Sequence, residues 1–280
     1  MNADLRPSPI AGLWYEGDPK ALAGTVDGYL EKAQLPELGG EVIAVVAPHA
    51  GHRYSGPVAG YAFKALRGLE PKLVAILSPY HNYHEAPFIT SAHNSYVTPL
   101  GTVPIDHAGV IALDSALNFV LGYGLTSIAN DPEHSLEIEL PFLQRVLAPG
   151  WKLLPVMVRT QGLRDSQELG RALAKILQGR KAVIVASTDL SHYYDQQTAN
   201  NLDQAMLAQV EELNPEGAIE VERSGKGYAC GLGALAAVMW ASLELGADNV
   251  KILKHATSGD VTGDYNEVVG YGAAVILKTK

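Results

Sequence analysis

The sequence predicts one α/β domain over residues 1–280, folded as a three-layer α/β/α sandwich with a mixed, mostly parallel central sheet. Largely apolar runs recur along the chain, as in strands buried on both faces of a sheet. Segments with helical spacing of apolar residues separate these runs, which is the pattern of an α/β fold. With 280 residues, 47% of them hydrophobic and 18% charged, the chain is long enough to bury one sizeable core.

Residues that interrupt sheets set the bounds of the predicted strands. The first strand covers residues 42–47 and stops at Pro48, because proline cannot donate a backbone hydrogen bond to a neighbouring strand. Residues 88–105 are typical of short strands joined by turns, and they make the sheet mixed. The other strands are predicted over 72–77, 153–158, 182–186, 251–256 and 272–277.

Helices are predicted between the strands. Residues 19–32 carry apolar side chains at helical spacing. Ser55 and Pro57 suit the N-cap and the first turn of a helix that runs to about Arg67. The other helices are predicted over 106–119, 166–177, 198–213 and 232–245, with one more starting at 131–134.

Charge and composition exclude several classes of partner and location. A formal net charge of −9 argues against binding to nucleic acid or to anionic membrane surfaces. The N-terminal sequence lacks the regions of a signal peptide, and the apolar stretch 234–243 is too short to span a bilayer. We therefore expect a cytoplasmic protein. The single cysteine, Cys230, excludes an internal disulfide.

Chemically active side chains follow three of the predicted strands. His49 and His81 come after the strands at 42–47 and 72–77, and Asp189 and His192 come after the strand at 182–186. Because the carboxyl ends of parallel strands meet at one edge of a sheet, we expect these side chains to converge there. Cys230 lies where a loop meets a helix. Imidazole and thiolate bind first-row transition metals, so His49, His81 and Cys230 are the predicted ligands.

The remaining candidates are assigned to the surrounding pocket. Asp189 and His192 lie three residues apart, so on a helical turn they would project the same way, as a general base and the group that orients it. Arg53, Tyr54 and His134 are expected to line the pocket and bind substrate. His52, Arg53 and Tyr54 are placed on the loop after the first strand.

Several of these residues have a structural explanation as well. Considered by itself, Cys230 could be a small apolar side chain buried in the core. Asp189 could cap a helix, and His134 could lie at the start of one. The glutamates of the same segment suit a solvated first turn favoured by the helix dipole, namely Glu133, Glu137 and Glu139. No G-x-S-x-G elbow, P-loop, G-x-G-x-x-G or H-E-x-x-H motif is present.

Taken together, the motifs resemble the Memo family over nearly the whole length of the chain. The segments that carry the resemblance are Ala47–Gly56, Ser78–His81, Glu133–Leu143, Ser187–His192 and Ala229–Gly231, joined by Ile10–Tyr15, Thr257–Asp260 and Val269–Tyr271. The family includes the mediator of ErbB2-driven cell motility in animals. In prokaryotes it supplies protein B of the AmmeMemoRadiSam system.

The resemblance implies a fold, a metal and partners. The fold of the family is similar to that of LigB-type class III extradiol dioxygenases, which are non-haem iron enzymes. By resemblance, His49, His81 and Cys230 match the metal-binding trio, and Asp189 and His192 match the polar pair beside it. The cofactor expected is one transition-metal ion. Fe(II) and copper are expected ahead of zinc. AMMECR1-like and radical-SAM proteins are the expected partners.

One departure from the dioxygenase pattern limits the functional prediction. LigB-type enzymes use two histidines and a carboxylate, whereas this chain has Cys230 in the place of the carboxylate, which shifts preference towards softer ions. We therefore predict a metal-dependent oxidoreductase of unknown substrate. A scaffold that binds peptides or partners in the same cleft and a zinc-dependent hydrolase are the alternatives.

Overall fold

The computed structural model describes residues 4–279 and has a nine-stranded central sheet with a separate three-stranded sheet. The strands are β1 (Leu5–Arg6), β2 (Glu41–Ala47), β3 (Leu73–Pro79), β4 (Phe88–Ser91), β5 (Ser95–Thr98), β6 (Gly101–Pro104), β7 (Leu125–Ile128), β8 (Lys152–Val158), β9 (Ala182–Ser187), β10 (His192–Tyr194), β11 (Asn249–Thr257) and β12 (Val268–Lys278). Every strand predicted from the sequence is among them.

Helices connect most of these strands. They are α1 (Pro19–Lys32), α2 (His52–Lys64), α3 (His107–Leu121), α4 (Leu140–Val146), α5 (Leu163–Leu177), α6 (Gln196–Glu211), α7 (Pro215–Arg223), α8 (Leu232–Glu244) and α9 (Gly259–Thr262), with a 3₁₀ helix over Glu137–Glu139 before α4. No helix within residues 4–279 is long and apolar enough to cross a membrane.

The sheet has a parallel centre and antiparallel flanks. Strands follow the order β10-β12-β2-β9-β3-β8-β4-β7, and β11 also pairs with β12. β2, β9, β3 and β8 run parallel, whereas β12 and β4 run antiparallel to their neighbours β2 and β8. Ala47 pairs with Ser187 and Leu77 pairs with Ala186, so the carboxyl ends of β2, β9 and β3 lie together.

Two apolar layers cover the sheet, because successive side chains of a strand point to opposite faces. On β3, Leu73, Ala75 and Leu77 pack into the core that contains α3, α5, α6 and α8. Val74 and Ile76 pack into the other core, with α1, α2 and α4. This arrangement confirms the predicted three-layer α/β/α sandwich with a mixed sheet.

The start of α2 differs from the prediction. The helix begins at His52 and not near Ser55, and Gly51 is its N-cap residue. The backbone N–H of His52 donates to the carbonyl of Trp14 at 2.8 Å, a contact from a distant part of the chain that local spacing cannot reveal. Arg53 and Tyr54 therefore lie in the first turn of a helix, and their predicted place on a loop is wrong.

The segment after β9 also differs from the prediction. Leu190 N–H donates to Gly270 O, and Gly270 N–H donates to Ser191 O, each at 2.8 Å. These bonds hold the segment extended beside β12, and His192 then opens β10. The helical turn expected over residues 189–192 is therefore wrong.

A buried arginine attaches the N-terminal arm to the loop that precedes α4. Arg6 is 1% exposed. Its Nη2 donates to Asp131 Oδ1 and to the carbonyl of Glu133, each at 2.7 Å, and its Nη1 donates to Glu137. Because a buried guanidinium needs several acceptors, this side chain fixes the course of the loop.

Candidate metal centre

Three histidines meet at the carboxyl edge of the sheet. His49 and His81 each lie two residues beyond a parallel strand, β2 and β3, and His134 lies on the loop that Arg6 holds. Each ring offers a nitrogen, and these nitrogens all lie within 4.8 Å of one another. His81 and His134 stack with 4.7 Å between ring centroids, and His49 stands edge-on to both.

Glu133 orients two of the three rings. Its Oε1 lies 2.9 Å from Nδ1 of His81 and 3.3 Å from Nδ1 of His134, and its Oε2 accepts the backbone N–H of His81 at 2.6 Å. Burial opposes ionisation of this carboxyl, but the hydrogen bond and charge of His81 outweigh burial and hold the pKa of Glu133 well below its usual range. An ionised Glu133 fixes Nδ1 of His81 as a donor and attracts the Nδ1 hydrogen of His134, which favours Nε2 of both rings as the nitrogen for a metal.

The burial of the glutamates in this segment corrects the sequence interpretation. Glu133, Glu137 and Glu139 are no more than 1% exposed. The solvated first turn predicted for them is wrong, because buried groups contact each carboxyl. His81 donates to Glu133, Arg6 and Tyr15 donate to Glu137, and Oγ of Ser187 lies within hydrogen-bond distance of Glu139. Arg6 and Tyr15 belong to the N-terminal arm, which is remote in sequence.

Ser187 orients the third ring. Its Oγ lies 2.9 Å from Nδ1 of His49, whose other ring nitrogen, Nε2, lies 3.1 Å from Sγ of Cys230. Burial, with the nearby His81 and His134 rings, lowers the pKa of His49 well below its usual value, and burial lowers the pKa of His134 to about 4. Both rings are therefore neutral near pH 7, the form that binds metals.

These residues meet the requirements of a transition-metal site. Imidazole nitrogen suits zinc, copper and iron, and each ring is held by a second group through the nitrogen that would not bind the ion. Three protein ligands also leave room for a water or substrate, as catalytic sites require. The donor set therefore fits the single metal ion expected from the sequence.

Cys230 lies beside this cluster without belonging to the three-histidine set. Its Sγ accepts the backbone N–H of Asp189 at 3.3 Å. Burial, reinforced by the charge of Asp189, raises the pKa of the Cys230 thiol well above its usual value. His134, predicted to line the substrate pocket, supplies the third nitrogen of the cluster, and Cys230 as a ligand stays a prediction.

Asp189 and His192 both lie near the cluster, but their side chains have different hydrogen-bond partners. Oδ1 of Asp189 accepts the backbone N–H of His49 at 2.7 Å. Burial raises the pKa of its carboxyl to about 7. Nδ1 of His192 is 2.8 Å from the carbonyl of Leu190, so Leu190, and not Asp189, orients the His192 ring.

A cavity of about 670 Å³ lies next to the histidines. Ala50, which follows His49, is part of its wall, and the ring of Trp14 lies 4.1 Å from the ring of His134. Arg53 and Tyr54 also line it, and their role in substrate binding stays a prediction. The other polar and aromatic lining residues include Tyr193, Tyr271, Asp264 and Glu267.

Comparison with known proteins identifies relatives over the whole chain. A sequence profile described as "Memo-like protein" matches residues 6–275. A MEMO1 family protein of Nitrosopumilus maritimus is 33% identical, over 96% of this chain and 98% of the relative. MEMO1 family proteins of Methanopyrus kandleri and Thermotoga maritima are each 36% identical, over 98% and 97% of this chain and 99% of each relative.

A solved structure shares the fold. The crystal structure of an uncharacterized protein of Escherichia coli K12 matches with a TM-score of 0.55 and 13% identity. The match covers 84% of this chain and 100% of that chain. At this level of identity the likeness concerns the fold alone.

Proposed function

The chain belongs to the Memo family, and from this premise we propose that it binds one first-row transition-metal ion at His49, His81 and His134. The single observation that carries the proposal is the convergence of one nitrogen from each of the three rings to within 4.8 Å, with Nδ1 of each ring facing a second group. In each ring, Nδ1 contacts Ser187 or Glu133, so Nε2 is the nitrogen for the ion; Nε2 of His49 also contacts Sγ of Cys230 at 3.1 Å. An ion bound there supplies a Lewis acid and, if it is iron or copper, a redox centre.

The reaction class that we propose is a metal-dependent oxidation or reduction of a small organic molecule, on a scaffold related to the LigB-type dioxygenases. His192 is the proposed general base. Its Nδ1–H donates to the carbonyl of Leu190, so Nε2 is free to accept a proton. Burial lowers the pKa of His192, and the ring is therefore neutral near pH 7 and ready to take a proton from a substrate hydroxyl.

Asp189 has a positioning role in this proposal. Its carboxyl accepts the backbone N–H of His49 and so fixes the turn that presents this ring. Arg53 and Tyr54 are the proposed substrate contacts, because they line the cavity beside the histidines. The aromatic walls of that cavity, Trp14, Tyr193 and Tyr271, suit an organic molecule with an apolar body.

Anaerobic reconstitution tests the redox part of the proposal. The metal-free protein is loaded with Fe(II) or copper, and its spectrum is followed through a cycle of oxidation and reduction. We expect a reversible spectral change in the wild type that His49→Ala abolishes. An ion that His49→Ala still binds, or one that does not cycle, contradicts the proposal.

Zinc-dependent hydrolysis is a second candidate, supported by the donor set itself. Three imidazole ligands with an open position are a common catalytic zinc arrangement, and the carboxyl of Asp189, with a pKa of about 7, lies beside them. Competition between zinc and Fe(II) for the apo-protein separates the two candidates. Retention of zinc with a redox-silent spectrum after purification from cells supports hydrolysis.

A further inference from the structure

Glu139 is a buried carboxyl group that lies behind His49, with one serine between them. The residue is 1% exposed and belongs to the 3₁₀ helix before α4. Its Oε1 lies 2.7 Å from Oγ of Ser187, and the same Oγ lies 2.9 Å from Nδ1 of His49. The protonation state of Glu139 therefore affects the hydrogen bond that orients the His49 ring.

The hydrogen atoms around Ser187 can be counted. Oγ of Ser187 has three neighbours, His49 Nδ1 at 2.9 Å, the carbonyl of Ser135 at 2.7 Å and Glu139 Oε1 at 2.7 Å. A hydroxyl has one hydrogen and two acceptor lone pairs. The carbonyl of Ser135 can only accept, so it takes the hydrogen of Ser187.

The two lone pairs of Ser187 then need two donors. His49 is the first, because binding of a metal at Nε2 leaves the ring hydrogen on Nδ1. The second lone pair faces Oε1 of Glu139. An ionised Glu139 would compete with Ser135 for the one hydrogen of Ser187, whereas a protonated Glu139 satisfies all three contacts at once.

We infer that Glu139 is a neutral carboxylic acid that donates its hydrogen to Ser187 and thereby positions His49 with Nε2 towards the metal. The inference rests on the proposed function, since it uses His49 as a metal ligand. Glu139 is in this account a positioning residue that acts through Ser187.

The electrostatic surroundings agree with this state. Oε2 of Glu139 has no hydrogen-bond partner among the described residues, and Asp189, another carboxyl group, is its charged neighbour. Burial raises the pKa of Glu139 well above its usual value, and Asp189 adds to the rise. A buried carboxylate with one unpartnered oxygen and no cation would be costly, whereas the acid form is not.

The two glutamates near the metal centre thus have opposite states. Glu133 is ionised and holds His81 and His134, while Glu139 is neutral and holds His49 through Ser187. Of these two glutamates, only Glu133 contributes a negative charge behind the rings.

Infrared difference spectroscopy of the purified protein tests the inference. We expect the wild type to show a carbonyl band of a protonated carboxylic acid near neutral pH that Glu139→Gln lacks. Ser187→Ala removes the hydrogen-bond partner, so it should shift the same band. Identical spectra of the wild type and Glu139→Gln overturn the inference. If Glu139→Gln does not fold, an unshifted carboxylic acid region in Ser187→Ala overturns it equally.

Metal affinity and the ring tautomer of His49 provide the functional readout. In Glu139→Gln the amide N–H₂ can replace the acid hydrogen, so we expect unchanged metal affinity and ¹⁵N shifts of His49 that report hydrogen on Nδ1. Ser187→Ala should lower the affinity about 10- to 100-fold and alter those shifts. If the wild type binds no metal, the proposed function fails, but the infrared result still decides the state of Glu139. A Glu139→Gln protein with the hydrogen of His49 on Nε2 overturns the positioning role.

Discussion

Oε1 of Glu133 lies 2.9 Å from Nδ1 of His81, and the same oxygen lies 3.3 Å from Nδ1 of His134. One buried carboxylate therefore fixes the tautomer of His81 by a hydrogen bond and faces the Nδ1 side of the His134 ring. Its other oxygen also holds the backbone of His81 at 2.6 Å. Metal binding at these rings should depend on Glu133 although this residue contributes no atom to the three-histidine set.

Glu133→Gln tests this dependence. Glutamine preserves the shape of the side chain but removes the negative charge that holds the Nδ1 hydrogen of His81 and attracts that of His134. We expect metal affinity to fall about 10- to 100-fold, as measured by competition with a chelator. Glu85→Gln, at an exposed glutamate on the loop after β3, is the matched control and should bind as the wild type does. Equal affinities in both variants would show that Glu133 does not orient the rings.

The third ligand can be identified by comparing His134→Ala with Cys230→Ser. Because the nitrogen of His134 belongs to the set within 4.8 Å, we expect His134→Ala to lower metal affinity more than Cys230→Ser does. X-ray absorption of the loaded wild type should show nitrogen neighbours without sulfur. A sulfur neighbour that disappears in Cys230→Ser would instead make Cys230 the third ligand and return His134 to the pocket wall.

The substitution Arg6→Met should lower the free energy of unfolding. The substitution leaves Asp131 and Glu137 buried without their cation, and loss of one partner of a buried ion pair costs about 3–5 kcal/mol. The free energy of unfolding in urea measures the effect. Arg67→Met removes a half-exposed ion pair with Glu31 and should change stability by no more than about 0.5 kcal/mol. A similar small change in Arg6→Met would contradict the anchoring role of the arm.

Glu222 makes the stability of the protein depend on pH. Its Oε2 accepts the backbone N–H of Ala229 at 2.8 Å, and burial raises the pKa of its carboxyl from 4.5 to about 6. The folded state therefore binds this proton more tightly than the unfolded state. The stability gained is complete below pH 4.5 and is lost as the pH rises through 6.

Glu222→Gln removes that dependence. The variant stays neutral at every pH, so its free energy of unfolding relative to wild type should increase across the window from pH 4.5 to about 6. Urea unfolding on both sides of the window measures the difference. A difference that does not change with pH would show that Glu222 has the same pKa in the folded and unfolded states.

Much of the fold could be predicted because it depends on local pattern. The residues of β2 and β3 form apolar runs, and α1 begins and ends at Pro19 and Lys32 as its spacing predicts. The start of α2 could not be predicted, because the partner of the His52 N–H is the carbonyl of Trp14 on the N-terminal arm. Such a contact leaves no trace in local spacing.

The part of the site that could be predicted consists of residues that come directly after strands. His49 and His81 lie where the sequence placed them, since the carboxyl ends of β2 and β3 are neighbours across β9. Glu133 and Ser187 were missed as orienting groups, because burial of Glu133 depends on a loop that the distant Arg6 fixes. The adjacency of Glu133 and His134 was the one available signal. The expected AMMECR1-like and radical-SAM partners stay predictions.

The metal content of His49→Ala tests the central claim most directly. The wild type, His49→Ala and His107→Ala, an exposed histidine on α3, are stripped of metal and then reconstituted anaerobically with one Fe(II), copper or zinc per chain. After removal of free metal, we expect one ion per chain in the wild type and in His107→Ala, and none in His49→Ala. Equal metal content in all three proteins would contradict a metal centre at His49.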